Sequence, residues 1–154
     1  MNLDIEQSIR EHIGKTVHMS LGTATLDSKP WVCEVHFAYD SKLSLYFVSK
    51  LTTRHCKEIA ANPNIAGNIV KQHSLEESPH GVYFEGTAKV IEPSDEQLEL
   101  YCSRLSRNKE ELVEQLTEAD GRRMYKISVS NWAIFGKFGF EANQKHELAW
   151  SNND

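Results

Sequence analysis

The stretch LYFVSKLTTRHCKEIAANPNIAG, residues 45–67, predicts a strand, a helix and a second strand with almost no loop between them. Its first positions are apolar, as in a buried strand. The helix is expected from about Thr53 to Ala61, because the proline in the NPN sequence at 62–64 cannot continue it. A strand over 65–70 follows. This strand–helix–strand order, with a polar segment between the first strand and the helix, is the starting point for predicting the rest of the fold.

The joint between the first strand and the helix collects hydrogen-bond donors and potential cations, namely Ser49, Thr52, Thr53, Arg54 and His55. The first turn of a helix presents unpaired N–H groups and the positive end of the helix dipole, so it normally attracts Asp or Glu. Here the first acid is Glu58. The joint therefore suits a bound dianion such as a phosphate. It suits equally well an ordinary threonine N-cap, with Arg54 paired to Glu58 four residues on.

The segments on either side predict mainly strands. Ile5, Ile9 and Ile13 form one apolar stripe, which predicts a short helix over 3–14. Two further helices are expected after the capping-box sequence at 94–97 and over about 109–119. The predicted strands cover 16–25, 31–39, 43–49 and 81–91, with two more inside 122–136. Short turns join the first three strands, so we expect them to form an antiparallel meander.

This pattern predicts a mainly β protein with α-helices, in which an antiparallel barrel is flanked by short helices. Closing the sheet removes the free edges that many short strands would otherwise expose. The 154 residues fit one domain with a substantial core, which we expect over 1–140, and an irregular tail over 141–154.

Composition excludes several classes of function. The net charge is −5, and no basic cluster could neutralise a nucleic-acid backbone. The sequence contains neither a membrane-spanning apolar run nor a secretion signal, so we expect a cytoplasmic protein that does not bind membranes. Cys33, Cys56 and Cys102 form no CxxC pair and the histidines lack metal-ligand spacing, so neither a metal site nor a disulfide framework is expected. No GxSxG motif supports a hydrolase triad, and no GxGxxG motif opens a helix after a strand, so a Rossmann site is excluded.

From Thr23 to Ile91 the chain resembles the FMN-binding split-barrel superfamily of pyridoxamine 5′-phosphate oxidase-like proteins. The motifs that carry the resemblance are LGTAT at 21–25 followed by Pro30, VHFAYD at 35–40, the stretch at 45–67 and GVYFEGTAKVI at 81–91. The resemblance implies an antiparallel split β-barrel and a homodimer with FMN at the interface. It also implies that residues of both chains contribute to each site.

Carried over by position, the resemblance assigns the FMN phosphate to the polar joint. Thr53, Arg54 and His55 stand where the family has Ser/Thr-Arg-Lys, while Val48 and Ser49 stand where the strand end contacts the flavin. We further expect the backbone around Cys33, Val35 and His36 to line the ring system.

The chain also departs from the family pattern. His55 replaces a permanent cation, so phosphate affinity is expected to depend on pH. The strand at 31–39 carries neither Arg nor Lys, although the true oxidases have both there. Gly81 or a neighbour replaces a flavin-contacting Gln, and the oxidases' C-terminal Trp–Arg pair has only Trp132 as a loose counterpart. We therefore do not identify the chain as a vitamin B6 oxidase.

Two further groups of residues have more than one interpretation. Glu34 and His36 share one face of their strand, which is either a pocket wall or a surface exposed to solvent or to a partner subunit. Trp132 belongs to an aromatic run that is either a core strand or a flavin-stacking surface. Trp31, Trp132 and Phe140 are candidates for an apolar dimer interface.

The leading hypothesis is an FMN-binding flavoprotein that acts as an oxidoreductase on an unidentified small molecule. The flavin supplies the redox chemistry, a nicotinamide is a candidate electron donor, and no side chain is identified as a catalytic acid or base. The alternative is a non-catalytic carrier of flavin, haem or the deazaflavin F420 on the same fold. A structural or interaction domain without a ligand is the third hypothesis.

Overall fold

The computed structural model describes residues 4–71, 74–136 and 144–151. Helices in this part of the chain span Ile5–Ile13 (α1), Arg54–Ala61 (α2), Asp95–Leu105 (α3) and Lys109–Thr117 (α4). The strands are His18–Ala24 (β1), Pro30–His36 (β2), Ala38–Tyr39 (β3), Leu45–Lys50 (β4), Asn64–Ile69 (β5), Gly81–Ile91 (β6), Arg122–Phe135 (β7) and Lys145–Ala149 (β8). None of the described helices is long and apolar enough to cross a bilayer.

All eight strands belong to one curled antiparallel sheet. Its order is β2-β1-β5-β6-β7-β4-β3, and β8 pairs with β7 beside this path. The predicted fold class, an antiparallel barrel with short flanking helices, is confirmed. The strand–helix–strand order predicted from residues 45–67 is present as β4, α2 and β5.

The three segments of the predicted meander pair antiparallel in chain order, but the middle strand expected over 31–39 breaks at Phe37 into β2 and β3. β1 and β2 pair with each other, but β4 pairs with β3 and β7 and not with β2. Phe37 is fully buried, and its amide donates to the carbonyl oxygen of Val17. β2 and β3 stand at opposite ends of the sheet order, so this single residue brings the two ends together and closes the barrel.

Arg104, on α3, holds this closure in place. Its Nη2 donates to the carbonyl oxygens of Ile13 and Thr16, and its Nε donates to that of Phe37. The guanidinium carbon lies 5.2 Å from the centre of the Phe37 ring and 4.7 Å from that of Tyr39. One cation therefore ties the end of α1, the β2–β3 joint and α3 together.

The two strands expected inside 122–136 are one continuous strand, β7. Its register with β6 shifts at Glu85 and Gly86, and the extra residue on β7 is Ser130, whose hydroxyl donates to the carbonyl oxygen of Glu85. The irregularity that the sequence suggested was a break between two strands is therefore a β-bulge within one strand. A Cβ at Gly86 would clash with the Ser128 carbonyl oxygen, which explains a glycine at this bend.

The tail expected to be irregular over 141–154 contains β8. Leu148 packs against the core from this strand, and the Trp150 indole N–H donates to the carbonyl oxygen of Lys42. These contacts hold a segment whose sequence has a weak strand pattern. Residues 141–143 and 152–154 lie outside the described part, and so does Phe140, so the domain boundary at 140 stays a prediction.

Two apolar clusters form the core of the described part of the chain. The larger one fills the barrel and includes Phe47, Tyr125 and Trp132, with one side of α1 and α2. The smaller lies between the sheet and α3 and α4, and includes Tyr46 and Tyr101. Because α2 packs on the larger cluster through Cys56 and Ile59, the first turn of α2 has a defined position at one end of the barrel.

Candidate functional site

The predicted joint begins α2 with a side-chain cap. Thr53 is the N-cap, and its hydroxyl accepts a hydrogen bond of 3.4 Å from the Cys56 amide. The same hydroxyl donates to the carbonyl oxygen of Lys50 at 2.8 Å. No acid lies in the first turn, as the sequence showed. Thr53 is thus occupied by helix capping, as the plainer interpretation of the joint predicted.

His55 and Ser49 lie together at this corner. His55 Nε2 is hydrogen-bonded to Ser49 Oγ at 2.8 Å and lies 3.4 Å from Thr53 Oγ1. The ring is half-buried beside Phe47. Burial lowers the pKa of His55, and the Glu58 carboxylate raises it by a smaller amount. His55 is therefore neutral at neutral pH in the free protein and becomes a cation on acidification.

Arg54 is oriented by two neighbours. Its Nε donates to Glu58 Oε2 at 2.8 Å, as the pairing interpretation predicted. Its guanidinium carbon lies 4.2 Å from the centre of the Trp31 ring. The Arg54 side chain is 50% exposed, whereas that of Glu58 is 7% exposed. The other Glu58 oxygen accepts from the Thr23 hydroxyl at 3.3 Å, so the carboxylate is well anchored.

Several donors at this corner have no acceptor among the described residues. They are the two terminal nitrogens of Arg54 and the backbone amides of Arg54 and His55. The exposed Thr52 hydroxyl lies one residue before the cap. We call Ser49 together with residues 52–55 the anion corner. Its donor set suits the oxygens of a phosphate, because a guanidinium and helix N-terminal amides bind such oxygens well.

The strand residues predicted to line the ring lie on both faces of β2. Val35 is buried in the barrel and Cys33 packs at its border, while His36 is exposed on the outer face and stacks on His18 with ring centres 4.5 Å apart. Partial burial and the neighbouring His18 lower the pKa of His36. Burial raises the pKa of the Cys33 thiol to about 11. The Cys33 thiol is therefore protonated at neutral pH.

Two predicted site residues point away from the anion corner. The Val48 side chain packs into the smaller cluster beneath α3, because adjacent residues of β4 alternate between its faces. Trp132 is fully buried, and its ring centre lies 5.8 Å from that of Phe84. The core interpretation of Trp132 therefore holds, and its indole contributes neither to a flavin-stacking surface nor to an exposed interface.

The sequence alone did not indicate that Glu58 and Trp31 together orient Arg54. Glu58 is buried and Trp31 stacks on Arg54, so both set the direction of the guanidinium. The four-residue spacing from Arg54 to Glu58 indicated their ion pair. No local pattern indicated the contact between Trp31 and Arg54, because β2 and α2 come together only in the folded barrel.

An apolar surface adjoins Trp31. An open cavity of about 670 Å³ is bounded by β1, β2 and β5. Trp31 is 43% exposed and the neighbouring Val32 is 62% exposed, and Leu26 at the tip of the hairpin is also exposed. Large apolar side chains at such exposure are of the kind found at interaction surfaces.

The described residues contain no group of His, Cys, Asp or Glu side chains that could hold a metal ion. Within the same residues, Cys33, Cys56 and Cys102 are all free thiols.

The fold recurs in solved structures of low sequence identity. A heme binding protein from Mycobacterium smegmatis has a TM-score of 0.75 at 16% identity, over 97% of this chain and 59% of that one. The heme storage protein HutZ from Vibrio cholerae has a TM-score of 0.64 at 14% identity, over 97% and 96%. General Stress Protein 26 from Bacillus anthracis has a TM-score of 0.66 at 19% identity, over 96% and 99%.

No curated protein matches this chain in sequence. The family model described as pyridoxamine 5′-phosphate oxidase, however, matches residues 5–135. That span runs from α1 to the end of β7 and therefore includes the anion corner. The chain belongs to the pyridoxamine 5′-phosphate oxidase family.

Proposed function

We propose that this protein binds FMN and acts as an oxidoreductase on a small molecule. The observation that carries the proposal is the anion corner, where Arg54 directs two unpaired terminal nitrogens outward beside two unpaired helix amides. A phosphate is the ligand group that such a donor set binds best. Family membership makes a flavin phosphate the first candidate.

The residues of the corner have separate roles in this proposal. Arg54 and the first-turn amides hold the phosphate oxygens, and Thr52 adds a hydroxyl donor. Ser49 and His55 supply a hydrogen-bonded pair whose ring gains positive charge on acidification. FMN supplies the redox chemistry when bound, and the protein orients it and excludes water.

We also propose that the protein is a homodimer and that the apolar surface of the β1–β2 hairpin lies in the interface. Trp31 exposes an apolar ring beside Arg54 of the anion corner, and Val32 exposes its side chain at the next position of β2. A second copy that covers them would bury these side chains and close the site with its own residues.

A haem or deazaflavin carrier on the same fold is the second candidate. β2 contains no Arg or Lys, so the phosphate end has one permanent cation where the oxidases have more. Two of the structural neighbours are named as a heme binding protein and a heme storage protein. A porphyrin depends less on a phosphate site than FMN does.

The absorption spectrum of the purified protein, with a titration of ligand-free protein, separates these candidates. FMN, riboflavin, haemin and F420 should be added separately. We expect FMN to bind at least about tenfold more tightly than riboflavin, because only FMN carries the phosphate. Equal affinity for FMN and riboflavin would remove the role of the anion corner. A Soret band with no flavin uptake would favour the carrier.

A further inference from the structure

A second cavity lies on the other side of α2. Its volume is about 430 Å³, and it is enclosed by α2 and the ends of β6 and β7. Cys56 and Ala60 face it, whereas Arg54 and Glu58 lie about half a helical turn away. The cavity is therefore separate from the anion corner and has no part in the proposed FMN site.

The interior of this cavity is apolar. Ile59 and Ala88 line it together with Tyr125. Burial raises the pKa of Tyr125, so its hydroxyl stays neutral. The deep part thus offers aliphatic and aromatic surface with no charge, and its volume lies within the range of small-ligand sites.

At the opening of the cavity, one edge of β6 has no neighbouring strand among the described residues. β5 begins at Asn64, and the last hydrogen bond on this side runs from the Ala88 amide to the Pro63 carbonyl oxygen at 3.0 Å. Alternate residues of a strand point their peptide groups to the same side, so the Val90 amide also points this way. No described residue continues the ladder past Pro63, and Val90 lines the cavity.

Two cations stand at the same mouth. Lys57 on α2 and Lys89 on β6 both line the cavity and both are exposed. Neither ammonium group forms an ion pair with any described residue. In a chain of net charge −5, two lysines without acidic partners beside a free amide make a locally positive opening over an apolar interior.

We propose that this cavity binds a small amphiphile that has an apolar body and one carboxylate group. The carboxylate lies between Lys57, Lys89 and the Val90 amide, and the body packs against Ile59, Ala88 and Tyr125. A neutral apolar molecule leaves the two lysines without a partner, and a cationic one is repelled by them.

The test is a titration of the full chain with sodium octanoate, followed by amide shifts in two-dimensional ¹H–¹⁵N NMR. We expect shifts to concentrate on residues 56–60 and 88–90. 1-Octanol should bind at least about tenfold more weakly, and octyltrimethylammonium should not bind at this site. Shifts that concentrate on the β1–β2 hairpin, or equal affinity for octanol, would overturn the proposal.

Substitutions test the charge and the space separately. Lys57→Glu with Lys89→Glu should weaken octanoate binding by at least about tenfold. Lys29→Glu with Lys145→Glu is the matched control, since it makes the same charge change at two exposed lysines outside the cavity. Ala60→Phe fills the mouth from an exposed helix position and should abolish binding with both lysines intact. Unchanged affinity in either cavity variant, with a dispersed NMR spectrum, would contradict the proposal.

Discussion

Arg54 Nε donates a hydrogen bond of 2.8 Å to Oε2 of Glu58, a carboxylate that is 7% exposed. A buried carboxylate needs a partner, and this pair provides it. The pairing uses the Nε of Arg54 and directs its two terminal nitrogens outward. The ion pair and the Thr53 cap are therefore compatible with anion binding at this joint. Glu58 is therefore a positioning residue for Arg54.

The first prediction concerns Arg54 itself. Arg54→Ala should weaken FMN binding by about 1.5–3 kcal/mol, the range for hydrogen bonds to charged groups, as measured by fluorescence titration. Riboflavin affinity should change much less, because riboflavin has no phosphate. Arg10→Ala is the control, since Arg10 forms a similar i,i+4 pair with Glu6 on α1, away from the anion corner. Unchanged FMN affinity in a folded variant would show that Arg54 does not contact the phosphate.

The second prediction concerns pH. Burial lowers the pKa of His55 in the free protein, and a bound dianion would favour the protonated ring. The FMN affinity of the wild type relative to His55→Gln should therefore rise as pH falls from 8 through the titration of His55. The FMN phosphate itself takes up a proton near pH 6, which weakens binding in every variant. His55→Gln keeps that second effect, so the difference between the two profiles measures His55. Parallel profiles would place the ring away from the phosphate.

The third prediction concerns the closure of the barrel. Arg104→Met keeps an unbranched side chain but removes the donors to three carbonyl groups, those of Ile13, Thr16 and Phe37. We expect a loss of about 2–3 kcal/mol in the free energy of unfolding, measured by urea denaturation. Arg10→Met, which breaks a partly exposed pair near the surface, should cost less than about 1 kcal/mol. Equal losses in the two variants would mean that Arg104 does not hold the closure.

The fourth prediction concerns assembly. Val32→Glu places a charge at a side chain that is 62% exposed, so it should leave the folded monomer almost as stable as before. If the hairpin lies in a dimer interface, this variant should shift the protein to monomers and weaken FMN binding, as seen by light scattering and titration. Lys29→Glu, near the same hairpin turn, should leave the dimer intact. A Val32→Glu dimer of wild-type affinity would place the interface elsewhere.

Local sequence signals predicted most of the elements. Thr53 caps α2 and Ser94 caps α3 as their patterns indicated, and β6 spans Gly81–Ile91 as predicted. The errors fall where long-range pairing decides. Phe37 interrupts a strand because the closing barrel turns the chain there, Ser130 forms a bulge opposite a distant strand, and β8 forms because β7 offers it an edge.

The sequence by itself determined most of the elements of this protein and the group of donors at the start of α2, because capping, periodicity and turn chemistry act over a few neighbouring residues. Only the tertiary structure decided that Trp31 stacks on Arg54, that Trp132 is buried and that Val48 points away from the corner. The reason is that the alternation of residues along a strand shows which side chains share a face. It does not show which other element packs against that face. That packing depends on how the sheet curls. Here the curl is set by contacts between residues far apart in the chain, such as Phe37 and Arg104.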